Sequence, residues 1–87
     1  MATFFRVLAL IVKYGPTIWE LVMEIIDLIN EVSSYLPASE AAVFQYIKKG
    51  SLDNAVAYYR LTKDKGKLES MHGELTVQLS NFQNHRR

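Results

Sequence analysis

Residues 20–31 read ELVMEIIDLINE, and their acids constrain what the segment can be. Glu20, Glu24, Asp27 and Glu31 recur at steps of four, three and four, which on an α-helix stacks the side chains in one row. Around that row Ile18, Trp19, Leu21, Val22, Met23, Ile25, Ile26, Leu28, Ile29 and Val32 occupy most of the remaining circumference. A helix that is apolar on nearly every side must be covered by more than one neighbour. An all-α bundle follows, in which the chain's other short helices can cover one side of this helix and a second chain or a lipid surface would have to cover the other.

The charged row extends toward the N-terminus. At about 100° per residue, Arg6, Lys13, Glu20, Glu24, Asp27 and Glu31 all fall within roughly 60° of one another on an unbroken helix. That phase is kept across Gly15 and Pro16, so the spacing predicts one apolar helix over 3–36, kinked where Pro16 removes an amide donor. Pro37 ends it. Ser39, followed by Glu40 and two alanines, predicts a short helix over 39–49 closed by Gly50 at C′. Ser51 then caps a helix over 52–64, with Asp53 in its first turn and Leu52, Val56 and Tyr59 on one face. Beyond Gly66, the series Leu68, Met71, Leu75, Leu79 and Phe82 advances by three, four, four and three. It predicts a helix over 67–83, while the alternation of Leu75, Val77 and Leu79 leaves a strand open for 73–82. Residues 84–87 form a basic tail. The expected whole is a single domain over 1–87, a small bundle of about four helices.

A chain of 87 residues holds a marginal core once conformational entropy is set against burial. With no Cys, neither a disulfide framework nor a thiolate metal site can reinforce it. About half its residues are apolar and ten are aromatic, too many for a disordered chain. Association with a second copy or a helical protein partner is the expected source of further burial. The lack of Cys and of a signal-peptide pattern favours an intracellular setting. No window of eighteen residues between Met1 and Leu36 is free of charge, which argues against a plain transmembrane span.

Charge is unevenly placed. Residues 1–47 carry two basic and five acidic side chains, a net of −3, and residues 48–87 carry eight and four, a net of +4. No Lys or Arg lies between Lys13 and Lys48, so the acid row has no cation one turn away on its own helix. It either faces water or docks the basic stretch RLTKDKGK, with Arg60, Lys63, Lys65 and Lys67, or the Arg86–Arg87 tail, in the same or a neighbouring subunit. Trp19 is expected to act as a packing anchor, inside the subunit or between subunits, with Val22, Met23, Ile26 and Ile29 beside it as candidate interaction residues.

Catalytic chemistry has little footing. Glu69 and His72 make an E-x-x-H pair, half of a di-metal carboxylate element, but the only other histidine, His85, lacks the spacing for a second. His72 reads as a surface or partly packed residue, and no cofactor is expected. No Ser/His/Asp set and no glycine-rich phosphate loop is legible. Tyr58 and Tyr59 precede the basic stretch as a nucleic-acid reader would place stacking rings, yet Asp64 and the modest charge surplus favour a solvated helix end. The expectation is a small helical assembly or interaction protein of structural, adaptor or inhibitor type, not an enzyme. A peripheral membrane protein using its N-terminal helix is the alternative, opposed by the acidic polar strip, and weak nucleic-acid binding comes third.

Overall fold

A computed structural model describes residues 18–85 of the chain. All of its regular structure is helical, in the order α1 (Ile18–Ser33), α2 (Ala38–Thr62) and α3 (Gly66–His85). The part of the expected 3–36 helix that precedes Ile18, its kink at Gly15 and Pro16, and the residues Arg6, Lys13, Arg86 and Arg87 lie outside the described residues.

α1 lies between the other two helices and packs against both, most broadly against α3. Its inner face, Leu21, Ile25, Leu28, Ile29 and Val32, meets Leu68, Met71, Leu75 and Leu79 of α3 and Leu52 and Ala55 of α2 in one buried cluster. The α3 stripe read from the sequence is the buried one, and 73–82 is helix rather than strand. Long-range packing decides that choice: in a helix Leu68, Met71, Leu75 and Leu79 share a buried face and Val77 is left exposed, whereas a strand would bring Val77 onto the same face as Leu75 and Leu79.

Two expected helices are one. α2 runs unbroken from Ala38 to Thr62 through Gly50 and Ser51, so Gly50 is neither a C′ residue nor the end of an element. A mid-helix glycine costs about 1 kcal/mol relative to alanine, and the packing outweighs it. Ala41, Phe44, Gln45, Lys48, Leu52, Ala55, Val56 and Tyr59 are buried or half-buried, and their spacing is a single helical stripe with no change of phase at Gly50. A break there would have split that stripe. Helix 39–49 also begins one residue earlier than expected: Pro37, at φ −57° and ψ 153°, occupies the N-cap position without a side-chain cap, and its carbonyl accepts the Ala41 N–H at 2.8 Å. Ser39 is in the first turn.

The connections are short and locally bonded. α1 unwinds through 32–36, where the Tyr35 and Leu36 amides donate to Val32 and Ser33 three residues back, the tightening common at helix ends. Buried Ser33 donates to the Asn30 carbonyl and accepts from Gln45 Nε2 at 2.8 Å, tying the end of α1 to α2. The Tyr35 ring stacks on Phe82, with centroids 5.6 Å apart, and so closes the turn against the end of α3. At the other end, Lys63 terminates α2 in the left-handed conformation, φ 61°, its amide donating to Tyr59 O. Asp64 then accepts from the Gly66 amide at 2.8 Å, capping α3 from within the turn.

Candidate functional site

The acid row does not share one environment. Glu20 and Asp27 are exposed, Glu31 is half-buried, and Glu24 turns inward against α3. There its Oε2 lies 3.5 Å from Nε2 of His72, whose side chain is only 7% exposed. His72 is therefore buried, in place of the surface or partly packed position expected for it. Helical phase puts it there: His72 directly follows buried Met71 and stands one turn before Thr76, on the side of α3 that faces α1.

This seam is polar inside an apolar interface. Glu24 Oε2, His72 Nε2 and Thr76 Oγ1 are closed to solvent and have no hydrogen-bond partner among the described residues, an arrangement that leaves desolvation uncompensated there. Each titratable member is displaced toward its neutral form. Burial, reinforced by the negative charges of Glu20 and then Asp27, raises the Glu24 carboxyl above its ordinary value, and burial lowers the His72 imidazole. A single proton between the two atoms would serve both.

The E-x-x-H residues diverge. Glu69 stands at the surface and pairs with Lys65 at 3.8 Å, while His72 points into the bundle; among the described residues no group of three or more His, Asp or Glu is placed to hold a metal ion.

The basic stretch is engaged locally. Lys67 lies over the Tyr58 ring at 4.2 Å, Lys63 over Tyr59 at 5.6 Å, and Lys65 beside Glu69. Arg60 is exposed near the end of α2. The interior acid thus meets a histidine, and three of the four cations meet side chains of α2 and α3.

The apolar candidates also separate. Ile29 is fully buried and Val22 and Ile26 pack on the core; these residues hold the bundle together. Trp19 is 72% exposed and Met23 lies beside it one turn on, also exposed, so the tryptophan anchors nothing inside the described bundle. The sequence reading missed the outer face of α2, where Val43, Tyr46, Ile47 and Leu61 are exposed. Their signal is a second apolar row out of phase with Phe44 and Leu52. It is legible only once the helix is continued through Gly50. Among the described residues no helix is long and apolar enough to cross a membrane.

No protein-family model matches the chain, and no curated protein or solved structure matches it. The functional reading rests on its own residues.

Proposed function

We propose that this chain is a small helical assembly protein whose activity is self-association, with a second copy covering apolar surface that the bundle leaves in water. One observation carries the reading. Trp19, Met23, Val43, Tyr46, Ile47, Leu61 and Val77 are all large, apolar and exposed, in a chain whose described core holds eleven buried apolar side chains. Single exposed hydrophobics are ordinary, but Val43, Tyr46 and Ile47 adjoin on one helix face, as do Trp19 and Met23. Charge favours its own kind as partner, since α2 has an acid, Glu40, in its first turn and a cation, Arg60, in its last, ends that complement each other between antiparallel copies.

A peripheral membrane role is the second reading, favoured by the exposure of Trp19 and Met23. Glu20 and Asp27 on the same side of α1 oppose it, because an anionic surface repels them.

Light scattering and thermal melts across a dilution series test the proposal. Mass and melting temperature are expected to rise together with concentration, and Trp19 emission to shift to the blue. A concentration-independent monomer that binds anionic vesicles would transfer the assignment to the membrane reading.

A further inference from the structure

The outer face of α2 carries opposite charges at equal distances on either side of Gly50. Gly50 lies in the middle of the helix, exposed, and a Cβ built on it would meet nothing within 4 Å. Packing among the described residues therefore does not require a glycine there. A bare backbone at the middle of an outward face does suit the close approach of a second helix.

The residues around it have the symmetry that such an approach needs. In a two-fold contact between antiparallel helices, positions equally far before and after the crossing point meet each other in both directions. Ten residues before Gly50 is Glu40 and ten after is Arg60; seven before is Val43 and seven after is Ala57. All four are exposed. Glu40 and Arg60 lie on opposite flanks of the Gly50 direction, about 80° to either side at 100° per residue, so they meet when the two helices cross obliquely. Ile47 fills the space next to the crossing. Opposite charges stand at both ends, and between them Tyr46 and Ile47 before the crossing are matched at equal distances after it by the exposed polar residues Asn54 and Asp53, a mixed polar and apolar surface suited to a dissociable helix pair.

We propose that two copies of this chain associate through the outer face of α2, antiparallel and crossing at Gly50, with Glu40 of each facing Arg60 of its partner. This rests on the self-association proposed above and names its surface. A crossed helix pair is at the small end of specific interfaces, so the dimer dissociates on dilution.

Two experiments test the surface. The chain has no cysteine, so a single Gly50→Cys gives one thiol at the two-fold axis; diamide oxidation joins it to its counterpart as a covalent dimer. Asn30→Cys, at an exposed position on α1, stays monomeric in the same oxidant. Independently, Glu40→Arg or Arg60→Glu weakens association by about 2- to 30-fold, the range for two symmetry-related exposed ion pairs, and the double reversal restores it. If the native chain associates with concentration while Gly50→Cys fails to crosslink and the two reversals simply add, the surface is wrong and self-association stands. If the native chain is monomeric throughout, both fall.

Discussion

The seam between α1 and α3 and the outer face of α2 are both built from apolar helical rows, yet they do opposite work. In the seam, Leu21, Ile25 and Ile29 lie against Leu68, Leu75 and Leu79 with almost no surface left to water, and a glutamate and a histidine are enclosed among them. On the outer face, Val43, Tyr46 and Ile47 each stay more than half exposed. The contrast teaches that apolar periodicity specifies which residues seek burial, while the packing of the chain decides which of them obtain it from their own fold.

The largest effect should fall in the seam. Ile25→Ala removes a fully buried side chain and should cost about 2 to 5 kcal/mol in urea unfolding. A loss under 1 kcal/mol would mean the seam is not the core.

Next comes the polar contact within it. Replacing both Glu24 and His72 by leucine should stabilise the bundle by about 1 to 4 kcal/mol at neutral pH, because two desolvated groups give way to apolar packing. The single change Glu24→Gln isolates one pH term. Glu24 is raised in the fold, so its contribution is full below the unfolded value of 4.5 and is lost as pH rises through the folded value. Hence Glu24→Gln should gain on the native chain at neutral pH, and the gain should vanish below about pH 4.5. His72 is lowered, so its contribution is present above the unfolded value of 6.5 and lost as pH falls through the folded value. His72→Gln should flatten that acid-side loss. Unfolding measured from pH 4 to 8 on the native chain and both variants checks the two signs.

Smaller effects distinguish two glycines. Gly73 and Gly50 are both exposed within helices, with open space at the missing Cβ. Alanine at either should stabilise the monomer by about 0.5 to 1 kcal/mol. Only Gly50→Ala should also weaken self-association, since only Gly50 lies at the proposed crossing. The same shift in mass from both variants would erase the distinction.

The smallest effects on the monomer should come from the outward apolar residues. Trp19→Ala and Ile47→Ala should each leave unfolding within about 0.5 kcal/mol at a concentration where the chain is monomeric. Ile47→Ala should reduce association in sedimentation at higher concentration. A large loss of monomer stability in the Trp19 variant would restore that ring to the core.

The sequence by itself determined the helical class of most of the chain, the apolar stripe of Leu68, Met71, Leu75 and Leu79, and the need of α1 for cover on more than one side. Each is written in a local spacing of three and four, and the circumference of α1 leaves no alternative to contact on more than one side. The tertiary structure decided the rest. Gly50 and Ser51 carry the local signs of a helix boundary, and only the unbroken stripe from Ala41 to Tyr59, packed against other helices, overrides them. Glu24 and His72 stand 48 positions apart, and no local rule distinguishes Glu24 from Glu20 or Asp27. Rotation of α1 against α3 buries one acid of the row and leaves two in water, because a helix can turn only one side toward its neighbour. For the same reason Trp19, the residue with the most to gain from burial, faces outward: Leu21, Ile25 and Leu28 already fix which side of α1 the bundle covers.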